Sequence, residues 1–209
     1  MLGPGRREAL DDALGFLGDR LRRDHPIGPL TTYRVGGSAS RFVEVRGVDE
    51  LVRVAAAVAG LVRADAGDVL VVGRGSNLLV ADGGVDRLVV QLGDGFADIE
   101  VDGGHVRAGG STSLPVLARR TVAEGLTGFE WAVGVPGTVG GAVRMNAGGH
   151  GDDLSSSLRG VRVVDLASGE DAEVDVGALE LGYRRSALRP EQVVVHADLS
   201  LAAGDRGRA

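Results

Sequence analysis

From Gly134 to Gly151 the chain reads Gly-Val-Pro-Gly-Thr-Val-Gly-Gly-Ala-Val-Arg-Met-Asn-Ala-Gly-Gly-His-Gly. Each glycine lets the backbone take positive φ or come into contact with a ligand, at a cost in conformational entropy. Helix-compatible Ala, Val and Met stand between them. So dense a run predicts a backbone dictated by a ligand rather than by packing alone. The expected ligand is an anion with a long, flat attachment, because amides free of side-chain cover bind phosphate oxygens.

Composition narrows the chemistry. All 23 basic residues are arginine, which removes the lysine-dependent phosphate loop, pyridoxal Schiff bases and lysine general bases. Cysteine is absent, so thiolate nucleophiles, disulfides, cysteine zinc sites and iron–sulfur clusters are excluded within this chain. His25, His105, His150 and His196 show no metal-ligand spacing, and no metal site is expected. A net charge of −6 with dispersed arginines speaks against nucleic acid as a partner. A small anion held by one or two local arginines fits. With no apolar run of about eighteen residues and no signal-peptide core at the amino terminus, the chain is expected to be cytoplasmic, without membrane insertion.

The 209 residues can bury one good core or two small ones. Residues 6–23 predict an amphipathic helix with Leu10, Leu14, Leu17 and Leu21 on one stripe. A strand is expected over 41–46 and a helix over 48–63, with Asp49 and Glu50 in its acid-favouring first turn. A buried strand from Asp68 runs into Gly73-Arg-Gly-Ser-Asn-Leu-Leu, and another strand covers 87–92. Beyond it come a hairpin about Asp102-Gly-Gly, a helix over 114–124, and strands near 161–166 and 192–201. Hairpins mixed with crossovers and no repeat predict an α+β fold in two lobes. The expected boundaries are an N-terminal helix 1–23, lobes 24–94 and 95–203, and a polar tail 204–209.

Gly73-Arg74-Gly75-Ser76-Asn77 has two glycines of a dinucleotide fingerprint, but Leu78 stands where the third would be. Such a loop between strands can wrap a pyrophosphate or be an ordinary turn. In the second segment, Pro136-Gly137 and Gly140-Gly141 also read as a turn and a close contact, which leaves the later glycines unexplained. Two glycine-dense loops in separate lobes suit one long cofactor.

At these residues the chain resembles the UDP-N-acetylenolpyruvoylglucosamine reductases of peptidoglycan synthesis, also called UDP-N-acetylmuramate dehydrogenases. The likeness runs from about Pro26 to Leu201. It rests on Thr31-Thr-Tyr-Arg-Val-Gly-Gly, the Gly73 loop, Gly134–Ala142 with Asn146–Gly151, and Gly182-Tyr-Arg-Arg-Ser. It implies the two-lobed FAD-binding fold of the flavin oxidase/dehydrogenase (PCMH) type, FAD between the lobes, and NADPH as hydride source. The implied reaction converts an enolpyruvyl ether on a nucleotide sugar to a lactyl ether in the cytoplasm, serving cell-wall biogenesis, cell shape and cell division. Carried over residue by residue, Gly73, Arg74, Gly75, Ser76 and Asn77 would surround the pyrophosphate. Gly134, Pro136, Gly137, Thr138, Gly140, Gly141 and Asn146 would line the cofactor from the other side. Arg184 matches the catalytic arginine, and Tyr183 would line the substrate site. A guanidinium suits a developing enolate because it stays charged when buried and meets a carboxylate with two hydrogen bonds. His150 and Arg144 depart from the commonest family residues, and Arg185 is expected to be exposed.

Family members continue into a third lobe bearing a proton-donating serine or cysteine and a late glutamate. The chain is therefore expected to be part of a complete reductase or a shortened relative, and to self-associate through the surface that lobe would cover. Three readings stay open: the reductase, an FAD-binding module without full turnover, and another flavin oxidoreductase of the same fold.

Overall fold

The computed structural model describes residues 1–204. The expected polar tail, with Arg206 and Arg208, lies outside the described residues from position 205 onward. Two compact units emerge: residues 1–93 with 164–171 and 189–193, and residues 94–163 with 172–188 and 194–204.

In the first unit, α1 (Gly3–Ala13) is the front part of the predicted 6–23 helix. The α-helix ends at its C-cap Leu14, and the remainder runs as a 3-10 segment, Gly15–Arg20, kinked at Gly18, which takes φ 56 and ψ −131, outside helical geometry. The leucine stripe survives the break: Leu10, Leu14, Leu17 and Leu21 are all buried. Then come β1 (Arg22–Pro26), β2 (Ser38–Val45), α2 (Val48–Val58), β3 (Val69–Val72) and β4 (Val85–Leu92). The sheet order is β1-β2-β4-β3, with β2 and β3 both parallel to β4 and β1 antiparallel to β2. Central strands covered on both faces carry continuous apolar runs, and Leu88, Val89 and Val90 are fully buried. Leu51, Val54, Ala55 and Val58 form the buried stripe of α2, which ends five residues short of the predicted 48–63 span. Ile27, Phe42, Val72, Val80 and Val89 form a core cluster.

Ion pairs fix α1 and the edge of this sheet. Arg7 pairs with Asp86, and Arg6 reaches the fully buried Asp68, which also takes Nε and Nη2 of Arg63 at 2.8 Å each. The guanidinium of Arg63 holds the Asp68 carboxyl down to about 2, against the opposing cost of burial.

The second unit begins with the hairpin β5 (Ile99–Asp102) and β6 (His105–Gly109), as the Asp102-Gly-Gly turn predicts. It continues through α3 (Leu114–Ala123), β7 (Leu126–Thr127), α4 (Val139–Met145) and the paired dipeptides β8 (Gly148–Gly149) and β9 (Asp152–Asp153). The long strands β10 (Leu158–Asp165) and β12 (Gln192–Ser200) flank β11 (Asp171–Asp175) in sequence, and β13 (Ala202–Ala203) pairs with β7. The main sheet runs β11-β10-β12-β6-β5. Its apolar face (Val106, Ala108, Val161, Ala197 and Leu199) shares one core with Leu117 of α3, Val139 and Val143 of α4, Phe129 and Trp131.

Candidate functional site

In the first unit the chain leaves β3 directly into Gly73–Asn77. Gly75 is buried at φ 65, and a Cβ there would lie 2.1 Å from the carbonyl oxygen of Leu30. The loop is thus pressed onto the Leu30–Thr31 turn, which only glycine permits. The carbonyl of Gly73 accepts from Nε2 of Gln91 at 2.9 Å, and Leu78 donates to the Gly75 carbonyl at 3.2 Å. Arg74 and Asn77 are exposed and Ser76 is half-buried. A guanidinium, a hydroxyl, an amide and a tight turn of backbone make a donor set suited to a diphosphate.

In the second unit the glycine-rich segment folds around α4. Thr138 is the N-cap, its Oγ1 accepting from the Gly141 amide at 3.3 Å. The amides of Val139 and Gly140 donate to the carbonyls of Thr112 and Gly110, each at 2.9 Å. These three first-turn donors are engaged by protein acceptors, so α4 offers no open anion nest. Gly140 is closely packed, since a Cβ would stand 3.1 Å from the Gly110 carbonyl oxygen. Gly148 is likewise a packing glycine, its imagined Cβ 2.4 Å from the Asp152 oxygen. Gly134, Pro136 and Gly141 are exposed, and Gly137 takes φ 138. Packing therefore accounts for part of the run whose backbone was expected to answer to a ligand.

Asn146 caps the other end of α4 in the left-handed region, φ 39 and ψ 61, a conformation asparagine tolerates. It is 3% exposed. Its Nδ2 donates to Asp153 Oδ2 at 3.1 Å and to the Gly182 carbonyl at 3.2 Å, while Oδ1 accepts from the Ser155 amide at 3.1 Å. The side chain expected against the cofactor thus has both donors and its acceptor engaged by protein groups.

Tyr183 and Arg184 form the tip of a tight turn closed by reciprocal bonds between Gly182 and Arg185, both at 3.1 Å. Arg184 sits at φ 55, and its Nη2 donates to the Gly148 carbonyl at 2.8 Å. Its guanidinium carbon lies 5.5 Å from the centroid of the Tyr183 ring, itself 89% exposed. Behind the turn, Ser186 Oγ donates to the Arg144 carbonyl at 2.8 Å. Sequence reasoning quoted Ser186 within the motif and gave it no task; its spacing of two residues after Arg184 was the available signal.

These residues open on a cavity of about 490 Å3, lined by the backbone run 148–153 with Asn146, Ser155, Ser156, Tyr183 and Arg184. Arg184 brings the positive charge and the Tyr183 ring an apolar wall. His150 lines the same cavity at φ 56.

On the polar face of the main sheet, ligating atoms of Glu173, His196 and Asp198 fall within 4.8 Å of one another. Arg107 occupies both Asp198 oxygens, at 2.8 and 3.0 Å. The group reads as an ion-pair network in which the guanidinium takes the place a cation would need.

A family model described as an FAD binding domain matches residues 39–175. The chain belongs to this family. The chain is 35% identical over 194 residues to the UDP-N-acetylenolpyruvoylglucosamine reductase of Granulibacter bethesdensis, covering 93% of this chain and 60% of that protein. It is 41% identical over 180 residues to the enzyme of the same name from Synechococcus sp. (strain RCC307), covering 84% and 56%. Among solved structures, the UDP-N-acetylenolpyruvylglucosamine reductase of Thermus caldophilus superposes with a TM-score of 0.75 at 32% identity, over 90% of this chain and 65% of that one. An alkyldihydroxyacetonephosphate synthase superposes with a TM-score of 0.62 at 17% identity, over 94% and 40%, a likeness of fold alone. The fold is α+β, of the PCMH FAD-binding type. The chain spans about 60% of the length of the curated relatives it matches. No helix among the described residues is long and apolar enough to cross a membrane.

Proposed function

We propose that this FAD-binding domain serves the NADPH-driven reduction of UDP-N-acetylglucosamine enolpyruvate to UDP-N-acetylmuramate, a cytoplasmic step toward peptidoglycan. The observation that carries the reading is Arg184, held to Gly148 at the mouth of a cavity in a chain 35% identical to a reductase of that name. When bound, the flavin supplies a hydride relay from the nicotinamide to the alkene carbon distal to the carboxylate. Arg74, Ser76, Asn77 and the amides around Gly75 would hold the cofactor diphosphate. Gly134, Pro136, Gly137 and Gly141 would border the cofactor without side-chain cover, and Thr138 and Gly140 would support that border from beneath.

Arg184 faces the substrate carboxylate in this reading. As hydride adds to the distal carbon, negative charge develops over the carboxylate as an enolate, and a fixed guanidinium stabilises it more than the ground state. Its left-handed backbone and its bond to Gly148 hold it in place, so little reorganisation is required at the moment of reaction. The Tyr183 ring covers one side of the guanidinium and offers a face to the nucleotide sugar.

The test is an anaerobic NADPH titration of the FAD-loaded 209-residue chain, followed by addition of UDP-N-acetylglucosamine enolpyruvate. Flavin absorbance that bleaches with NADPH and returns on adding the nucleotide is the expected result. Flavin that is reduced but ignores the nucleotide would assign this chain cofactor binding alone, and the proposed turnover would be withdrawn.

A further inference from the structure

We infer that Asn146 is the positioning residue for Arg184, acting through the carbonyl of Gly182, and that the carboxyl end of α4 is the mount on which the arginine turn is built. The inference rests on the proposed role of Arg184 for its catalytic consequence, though not for its geometry.

The turn Gly182–Arg185 has little support of its own. Tyr183, Arg184 and Arg185 are all exposed, and a four-residue turn with its two reciprocal bonds does not fix its direction relative to the rest of the unit. Three bonds reach it from outside. Ser186 Oγ binds the Arg144 carbonyl, Asn146 Nδ2 binds the Gly182 carbonyl, and Arg184 Nη2 binds the Gly148 carbonyl. All three partners fall within five residues at the end of α4, and of them only the Asn146 bond is donated by a side chain that is itself buried. An amide is the group this position needs. It has two N–H donors, directed at the Gly182 carbonyl and Asp153, and one carbonyl, directed at Ser155. Aspartate would keep the size and lose both donors, placing a second carboxylate against Asp153.

The link also explains why a helix of seven residues ends where it does. The left-handed Asn146 turns the chain so that Gly148 pairs with Asp153 in β8 and β9, and that pairing aims the Gly148 carbonyl at the guanidinium. One residue thus sets two of the three contacts of the arginine turn, one by its side chain and one by its backbone.

Asn146→Gly separates these two effects, because glycine accepts positive φ while removing only the side-chain bonds. Nitrogen-15 relaxation on the 209-residue chain reads the positioning directly. In the parent the Arg184 amide is expected to have an order parameter of about 0.85, and in Asn146→Gly to fall below about 0.6, with Val161 and Leu199 unchanged. An unchanged order parameter and unchanged Arg184 Nε shift would overturn the inference. Should Asn146→Gly lose the core signals as well, Asn146→Asp is read in its place, with the same expected and contrary results.

Binding supplies a readout that a merely structural role would not move. Asn146→Gly is expected to weaken UDP-N-acetylglucosamine enolpyruvate about tenfold and to leave UDP-N-acetylglucosamine, which lacks the carboxylate, unaffected. In Arg184→Ala the further Asn146→Gly change is expected to add nothing. Equal weakening of both nucleotides, or additive losses, would count against positioning. If Arg184→Ala leaves carboxylate binding intact, the proposed function fails, while the relaxation result still decides the role of Asn146.

Discussion

The carbonyl of Gly148 accepts a hydrogen bond from Arg184 Nη2 at 2.8 Å across 36 residues of chain. This bond ties one guanidinium nitrogen to backbone while the side chain lines the cavity. An ammonium cannot reproduce this, since it has no planar fork to share between a carbonyl and a carboxylate.

Arg184→Ala is accordingly expected to slow flavin reoxidation by the enolpyruvyl nucleotide by about 10²–10³, the range for loss of one electrostatic stabiliser. Arg184→Lys is expected to recover only part of it. Flavin reduction by NADPH should stay at the parent rate in both. Stopped-flow absorbance separates the two half-reactions, and an equal fall in both would place Arg184 outside the substrate site.

Gly75→Ala tests the loop after β3. At φ 65 and with a Cβ 2.1 Å from the Leu30 oxygen, alanine forces the loop off its turn, and FAD affinity is expected to fall by more than about tenfold as several donors move together. Gly83→Ala, with nothing within 4 Å of its added Cβ, is the matched control and should bind FAD normally. Fluorescence quenching on FAD titration measures both. Equal affinities would remove the diphosphate from this loop.

How much of this was legible beforehand depends on the range of the interaction concerned. The β5–β6 hairpin was readable because Asp102-Gly-Gly is a local turn signal, and α2 because its apolar stripe is local too. The 6–23 helix was not: four leucines at helical spacing are satisfied equally by a helix, a 3-10 segment and a strand entry, provided each bends its leucine inward. Gly18 was the sign of the kink that follows the helix end. The Gly73 loop was singled out from its own glycines, as a pyrophosphate loop or an ordinary turn, whereas Arg184 was nominated through motif resemblance alone, since an exposed arginine in an arginine-rich chain carries no periodic signal. Gly140 was read both as a close contact and as a cofactor neighbour, and Gly148 was left outside the turn-and-contact reading, because a sequence cannot distinguish a glycine facing a cofactor from one facing a distant backbone. The three bonds of Asn146 were hidden for the same reason, as two of the partners, Asp153 and Gly182, lie 7 and 36 residues away.

Asp68 governs part of the acid stability of the first unit. Its carboxyl, held down to about 2 chiefly by Arg63, starts from an ordinary value of 3.8. A depressed folded value contributes stability that is present above pH 3.8 and lost as pH falls through about 2. The fully buried side chain makes that contribution about 2 kcal/mol. Asp68→Asn should lower unfolding free energy at pH 7 by about this amount and flatten the stability profile between pH 4 and 2. Urea unfolding at a series of pH values checks it, and an unaltered acid slope would show that other carboxylates carry the effect.

His196 sets an expectation of the same sign, in a higher pH window, on the second unit's sheet. Its side chain is 13% exposed, and Nε2 has no hydrogen-bond partner; Glu173 and Asp198 stand off at 3.6 and 3.9 Å. Burial pushes its pKa below the usual histidine value, with Arg107 adding to the shift, while Glu173 and Asp198 oppose it. A lowered folded value means the native state binds the proton less readily than the unfolded chain. The stability this confers is complete above the unfolded value of 6.5 and declines as pH falls below it. His25, also lowered chiefly by burial, acts in the same direction in the first unit. His196→Gln should therefore reduce the loss of stability between pH 7.5 and 5.5, and a double change with His25→Gln should reduce it further. Midpoints of urea unfolding at the two pH values decide the sign. A parent protein that gains stability on acidification would mean that the two carboxylates outweigh burial, and that His196 is charged in the folded sheet.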